Sequence, residues 1–175
     1  MEAAVNRPER GEAADYYFTY IDKVPEGDIV RTLESQLPDT VALLRGIGED
    51  QSLHRYAPGK WTIREMLGHV NDTERLFVFR AMWFARGLEA ALPSFDQDAA
   101  VPASGADERS WRSHVDEFDA IRASTLAFFQ NLPPDAWMRR GTASGHPITV
   151  RALAYIIAGH VAHHVHIIRE RYLRA

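Results

Sequence analysis

Four segments of about 20 residues carry apolar side chains at a helical period, and this pattern most constrains the fold. They span about residues 28–47, 62–86, 107–131 and 149–172. In each segment the apolar residues recur every three or four positions, which places them on one face of an α-helix. No segment of useful length alternates apolar and polar residues as a half-buried strand does. We therefore expect an all-α chain that folds as a four-helix bundle.

The ends of the predicted helices carry cap signals. Thr62 followed by Glu65 fits a capping box, in which each side chain bonds a free backbone N–H of the first turn. Thr149 is a favourable N-cap for the last helix, and Gly87 follows the second helix. Pro38 lies inside the first helix, where its missing N–H predicts a kink.

Two connections differ in their predicted form. Residues 88–106, between helices 2 and 3, are rich in Pro, Ala, Ser and Gly and are too long for a tight turn. We expect this long connection to cross one end of the bundle or to cover a site there. Residues 133–147 contain three prolines and two glycines, a composition that predicts turns and a short hairpin.

Length and composition are typical of one globular domain. The chain has 175 residues, close to the length of about 150 residues that is usual for a domain. We expect an N-terminal tail over residues 1–20 and one bundle domain over residues 21–175. The formal net charge is −4, which argues against a nucleic-acid partner, because nucleic-acid binders usually carry a basic surface. Cysteine does not occur, which excludes disulfides, thiolate ligands and a thiol nucleophile.

The sequence pattern favours a cytoplasmic protein with no membrane segment. Residues 1–10 carry charges without an apolar stretch, unlike a secretory signal. Residues 152–168 contain no Asp, Glu, Lys or Arg. This run is shorter than the ~20 residues that a membrane span needs, and it holds four histidines. We therefore expect it to form a buried helix.

The histidines of the fourth helix are the main functional signal. His160 and His164 are four residues apart, so both imidazoles lie on one helix face within reach of one metal ion. The same face carries Leu153 and Ile157, which indicates that the pair points into the bundle. A buried imidazole without a partner costs on the order of 1–3 kcal/mol, and a metal ion would remove that cost.

A third ligand has to come from another helix, and His69 is the natural candidate. It lies near the middle of the second helix, beside the apolar residues Met66 and Val70. Three histidines on a divalent ion leave a coordination position free for water or substrate, as in catalytic sites.

The same histidines also admit a structural interpretation. An inward histidine is usually a hydrogen-bonded core residue, and a chain with eight histidines produces such pairs by chance. His160 and His163 form a second pair that could chelate, although His163 and His166 fall off the apolar face and suit a flank or an interface. We expect ordinary surface positions for His54, His114 and His146.

Three polar residues follow His69 closely, namely Asn71, Asp72 and Glu74. They spread around the helix, so they cannot all face the site. We expect them to be solvated or ion-paired, Asp72 for example with Arg75 or Arg80. One carboxylate could instead accept a hydrogen bond from an imidazole and orient it. If Asp72 or Glu74 reached the ion as a fourth ligand, the metal would be structural.

Three stretches of the sequence carry more specific motifs. They are YAPGKWTIREMLGHVNDTE at 56–74, PSFDQD at 93–98 and GHVAHHVHI at 159–167. Together they resemble the DinB-like superfamily, in the branch of YfiT-type metal-dependent hydrolases and bacterial thiol transferases, over about residues 20–172. The resemblance implies a four-helix bundle whose divalent metal, typically zinc or nickel, is held by His69, His160 and His164. It also implies chemistry that joins a low-molecular-weight thiol to an electrophile or isomerises such an adduct.

We therefore expect a divalent-metal-dependent enzyme, a thiol S-transferase or a hydrolase that acts on small molecules; the sequence identifies no general base. The alternative is a non-catalytic, stress-related bundle protein that binds a metal, and a third possibility is a plain histidine core without metal. A homodimer is also expected, because the fourth helix is apolar nearly all round and needs a cover. The N-terminal aromatic segment could supply the same cover.

Overall fold

The computed structural model describes residues 5–174. In chain order the helices are α1 (Phe18–Ile21), α2 (Ile29–Arg45), α3 (Ile63–Ala85), α4 (Gln97–Ala103), α5 (Trp111–Gln130) and α6 (Val150–Ile167). The two strands are β1 (Arg140–Ala143) and β2 (His146–Thr149). The long helices α2, α3, α5 and α6 form the bundle, which confirms the predicted all-α architecture.

The predicted caps are formed. The Thr62 Oγ1 accepts a hydrogen bond from the Glu65 N–H at 2.9 Å, and the Glu65 carboxylate accepts one from the Thr62 N–H at 2.8 Å. Thr149 Oγ1 accepts from the Ala152 N–H at the start of α6. Helix α5 begins at Trp111, four positions later than predicted, because Ser110 is its cap and a 3-10 turn (Ala106–Glu108) precedes it.

The first and last long helices each contain an irregular feature. Helix α2 is one helix with Pro38 inside it, and the kink expected at Pro38 stays a prediction. Helix α6 ends at Ile167, and a π-helical turn continues over Ile168–Tyr172, where the sequence predicts one unbroken α-helix. The Tyr172 hydroxyl then donates to the Trp61 carbonyl oxygen at 2.6 Å, which ties this last turn to the start of α3.

Strands β1 and β2 form the predicted hairpin. They pair antiparallel through a two-residue turn, Ser144–Gly145, in which both residues have positive φ angles of 54° and 79°. This turn type suits the twist of a hairpin but strains any residue other than glycine, asparagine or aspartate. The hairpin also contacts α3 directly, since a Cβ on Gly141 would lie 2.0 Å from the Phe84 ring.

The long connection between α3 and α5 is more ordered than its composition predicts. It contains the short helix α4 and, before it, a segment that lies beside the hairpin. The Leu92 N–H donates to the Thr142 carbonyl oxygen at 2.9 Å, and the Ser144 N–H donates to the Leu92 carbonyl oxygen at 3.1 Å. The connection therefore closes over the C-terminal part of α3 together with the hairpin.

The N-terminal segment covers α6. Helix α1 packs against α6, and a Cβ on Gly159 would lie 2.1 Å from the Tyr20 carbonyl oxygen, so the two backbones are in contact. The fully buried Tyr155 of α6 donates its hydroxyl to the Gly27 carbonyl oxygen at 2.9 Å. Of the two covers that the sequence allows for this helix, a partner subunit and the N-terminal segment, the N-terminal segment is in place on α6. Dimerisation and the division at residue 20 stay predictions.

The buried apolar residues form two clusters along the bundle axis, and polar residues separate them. On α3 one cluster ends at Val70 and the other begins at Phe77, with Thr73 and Glu74 between them. Each of the other three long helices also carries a polar residue between the two apolar clusters: Gln36 on α2, Arg122 on α5 and His160 on α6. We call this set of residues the polar layer. None of the helices within residues 5–174 is long and apolar enough to cross a membrane.

Candidate metal centre

Three histidines meet at one side of the polar layer. His69 extends from α3, and His160 and His164 extend from adjacent turns of α6. Their side chains are almost completely shielded from water, with exposed fractions of 5%, 5% and 8%. We call these three residues the histidine cluster, which the sequence predicts from the four-residue spacing on α6 and the position of His69.

The ring nitrogens of the cluster face one another. The Nε2 of His160 lies 3.2 Å from the Nε2 of His69 and 3.1 Å from the Nε2 of His164. One ring nitrogen from each residue lies within 4.8 Å of the other two. Nitrogen ligands of a tetrahedral zinc ion, bound at about 2.0–2.1 Å, lie about 3.3–3.4 Å apart. The separations to His160 are therefore close to those of a shared ion.

Thr73 determines which nitrogen of His160 carries the proton. Its hydroxyl donates to the His69 carbonyl oxygen at 2.7 Å, and a hydroxyl has only one proton to donate. The contact of 3.3 Å between Thr73 Oγ1 and His160 Nδ1 must then be an N–H donated by the imidazole. His160 consequently turns the lone pair of its Nε2 towards the other two histidines, as a metal ligand does.

Protein groups alone leave the histidine cluster incomplete. The single lone pair of His160 Nε2 can accept one good hydrogen bond, yet it faces two neighbouring nitrogens. The Nδ1 atoms of His69 and His164 are buried and have no hydrogen-bond partner among the described residues. A cation bound to the three Nε2 lone pairs would satisfy the inner nitrogens, so the donor set fits a divalent ion.

Burial keeps the three imidazoles neutral, which is the form that binds a metal. It lowers the pKa of His69 to about 4 and lowers the pKa of His160 and His164 well below the ordinary value. The neighbouring imidazoles lower the pKa of His160 and His164 further, because two positive charges at this separation repel each other.

No carboxylate completes the cluster within residues 5–174. Asp72 lies on the outer face of α3, where it makes the expected ion pair with Arg75 at 3.5 Å. Glu74 is buried and is held elsewhere, by Arg122. Neither residue therefore acts as the fourth ligand that would indicate a purely structural ion, and neither orients a histidine of the cluster.

Two half-buried aromatic rings flank the histidine cluster. The Trp61 ring, just before α3, lies 5.0 Å from the His69 ring. The Tyr20 ring of α1 lies 5.2 Å from His160 and 5.4 Å from His163. Both side chains are partly exposed, whereas the cluster histidines that they contact are buried. Sequence reasoning did not assign either ring to the site.

A second polar centre lies in the same layer, and the sequence did not reveal it. Arg122 binds Glu74 through two parallel hydrogen bonds of 2.8 and 2.9 Å, and both side chains are buried. Thr125 donates to the same carboxylate at 2.8 Å, and Gln36 accepts from Arg122 at 2.8 Å. Gln36 also donates to the Ala158 carbonyl oxygen, so this carboxylate network joins all four long helices.

The structure corrects one histidine prediction. His114 is fully buried rather than on the surface, and its Nε2 lies 2.9 Å from the Ala106 carbonyl oxygen. Its position on the inner face of α5, one residue before Val115, was the signal that could have indicated burial. The other non-cluster histidines agree with expectation: His54, His146 and His166 are exposed, and His163 is half-buried at the flank.

Comparison with known proteins identifies the family. Residues 32–168 match the DinB superfamily, and the chain belongs to that superfamily. Among solved structures, YfiT from Bacillus subtilis superimposes with a TM-score of 0.71 at 17% sequence identity, over 95% of this chain and 91% of that chain. YfiT is described as a probable metal-dependent hydrolase with an unusual four-helix bundle topology. No curated protein matches the chain significantly.

Proposed function

We propose that the protein is a divalent-metal-dependent enzyme that acts on small molecules, with His69, His160 and His164 as the metal ligands. The observation that carries the proposal is the convergence of three neutral imidazoles. The Nε2 atoms of His69 and His164 lie 3.2 and 3.1 Å from the Nε2 of His160, and no carboxylate within residues 5–174 joins them. Membership in the DinB superfamily and the description of YfiT support the same chemistry.

A divalent ion held by three neutral nitrogens supplies Lewis-acid activation to a bound water or thiol. Activation of water corresponds to a hydrolase, and activation of a thiol corresponds to an S-transferase. The chain contains no cysteine, so the thiol would be a low-molecular-weight cosubstrate. Zinc and nickel are the metals we propose, because both bind imidazole nitrogen well.

The residues around the cluster have separate tasks in this proposal. Thr73 orients His160, and the support for this role is that its hydroxyl proton goes to a backbone carbonyl oxygen while its Oγ1 contacts the His160 Nδ1. Trp61 and Tyr20 exclude bulk water on the approach and present apolar ring surfaces to a substrate. We assign no general base, since no carboxylate or further histidine within the described chain joins the cluster.

The first test is metal binding without any assay of activity. Trp61 lies beside His69, so Co²⁺ or Cu²⁺ bound at the cluster should quench its fluorescence. We expect quenching that saturates at about one equivalent and is lost in His160→Ala. Trp61→Phe serves as the control: it should retain the metal but lose most of the quenching. Equal binding by wild type and His160→Ala would reject the site.

The second test is turnover. Metal-loaded protein is assayed with low-molecular-weight thiols against chlorinated and epoxide electrophiles, and with ester and amide substrates for hydrolysis. Turnover above the His160→Ala background supports catalysis. Metal binding without any such turnover would favour the alternative, a stress-related bundle protein in which the ion only stabilises the fold.

A further inference from the structure

Three arginines are buried in the bundle, and one of them has no counter-charge. Arg64, Arg80 and Arg122 have exposed fractions of 5%, 2% and 0%. Arg64 pairs with Glu49 at 2.6 Å, and Arg122 pairs with Glu74 at 2.8 Å. Within residues 5–174, no carboxylate oxygen lies within 4.0 Å of the Arg80 guanidinium. A buried guanidinium without an anion is unfavourable, because neutral dipoles return only part of its lost hydration.

The hydrogen bonds of Arg80 leave part of its donor capacity unused. Its Nη2 donates to the Pro93 carbonyl oxygen at 2.8 Å and to Ser144 Oγ at 3.2 Å. Its Nε–H is buried and has no acceptor among the described residues. Since Ser144 accepts from Arg80, its own hydroxyl proton is available to a further acceptor. The guanidinium and the serine hydroxyl therefore both offer donors and lack an anion.

The surroundings of Arg80 form a built cap rather than a loose surface. The long connection and the hairpin are joined by two backbone hydrogen bonds at Leu92, and this holds Pro93 and Ser144 on the same guanidinium. Ser144 has a φ of 54° at a turn position that favours glycine or asparagine. A strained serine at a position where glycine would fit suggests that its hydroxyl is used.

We propose that Arg80 and Ser144 form a binding site for a small oxyanion, a carboxylate or a phosphate group, under the long connection. Arg80 follows His69 by 11 positions on α3, a separation of about 16 Å at 1.5 Å per residue. The site is therefore distinct from the histidine cluster. It would compensate the buried charge when filled and would fix the connection to the hairpin.

The experiment measures the melting temperature in a zwitterionic buffer to which phosphate, acetate or chloride is added at constant ionic strength. At an oxyanion concentration of about ten times the dissociation constant, binding should raise the melting temperature by about 3–6 °C. Phosphate and acetate distinguish the two oxyanion classes, and chloride controls for a general salt effect. A wild-type response to both oxyanions no larger than the response to chloride would overturn the proposal.

The variants separate this site from a merely structural arginine. Arg80→Met should lose the oxyanion response, whereas Arg112→Met, whose parent side chain is 89% exposed, should keep it. Ser144→Gly should raise the melting temperature without anion, because it relieves the positive φ, yet weaken oxyanion affinity about tenfold or more. If Ser144→Gly retained full affinity, or Arg80→Met retained the response, the proposal would be wrong.

The same measurement on His160→Ala keeps this inference independent of the metal centre. An oxyanion could also bind to a metal held by the histidine cluster, and such binding would disappear in His160→Ala. We expect the oxyanion response to persist in this variant. Its loss there, together with retention in Arg80→Met, would place the anion at the cluster instead and refute the Arg80 site.

Discussion

The carboxylate network and the histidine cluster lie in the same polar layer, yet only the first is complete within the chain. In the network, Glu74 and Arg122 neutralise each other, and Thr125 and Gln36 use further hydrogen-bonding positions. In the cluster, three neutral rings turn their Nε2 atoms towards one another, and the single lone pair of His160 Nε2 faces two neighbouring nitrogens. A buried polar group whose hydrogen bonds are all made within the protein is explained by the fold. A buried polar group without such partners indicates that a ligand binds there.

The largest effect on stability is expected from removing one partner of the buried ion pair in the carboxylate network. Arg122→Met leaves the Glu74 carboxylate buried and unpaired, and we expect the free energy of unfolding to fall by about 3–5 kcal/mol. The double variant Glu74→Leu/Arg122→Met should lose less unfolding free energy than Arg122→Met, because it leaves no unpaired charge buried in the network. Urea denaturation measures both.

The matched control for this variant is an exposed ion pair. Asp116→Ala removes the partner of Arg112, at a site where both side chains are mostly exposed, and should change stability by no more than about 0.5 kcal/mol. If Arg122→Met cost as little as Asp116→Ala, the network would not be the structural centre of the polar layer.

Metal should stabilise the protein through the cluster and not through the network. At a free metal concentration 1,000 times the dissociation constant, the gain in unfolding free energy should be about 4 kcal/mol. His164→Ala should lose this gain, while Glu74→Leu/Arg122→Met should keep it. Equal gains in wild type and His164→Ala would show that the metal acts elsewhere.

A smaller effect is expected from the residue that orients His160. Thr73→Val removes the acceptor for the His160 Nδ1–H, and metal affinity should fall about 10–100-fold. Thr73→Ser keeps the hydroxyl and should bind metal almost as tightly as wild type. Competition with a chromogenic chelator measures the affinities, and equal values for the Val and Ser variants would contradict the assigned tautomer.

The sequence revealed the cluster but not the network, and the reason is physical. His160 and His164 are neighbours on one helix, so the spacing alone shows that they share a face. Glu74 and Arg122 are 48 residues apart, and their pairing depends on how α3 packs against α5. The helix ends were predictable within a few residues because Thr62 and Thr149 are local signals. The position of His114 beside Val115 could have indicated burial, but its partner, the Ala106 carbonyl oxygen, lies in a connection whose path the sequence does not give.

The smallest expected effect concerns pH. Burial lowers the pKa of His114 below its ordinary value of 6.5. Below about pH 6.5 this histidine therefore binds a proton more readily in the unfolded chain than in the folded chain. Stability supplied by neutral His114 is thus present above that pH and is lost as the pH falls. The metal-free protein should lose up to about 1.4 kcal/mol per pH unit from this group. In His114→Gln the slope should be shallower; an unchanged slope would contradict this assignment.

The most direct measurement is the metal content of the protein, determined by elemental analysis after purification without added metal and again after incubation with zinc or nickel and dialysis. We predict about one divalent ion per chain in wild type and very little in His69→Ala and His160→Ala, both checked for folding by circular dichroism. A well-folded wild-type protein that retains no ion after incubation, or variants that retain as much as wild type, would contradict a metal centre built from α3 and α6.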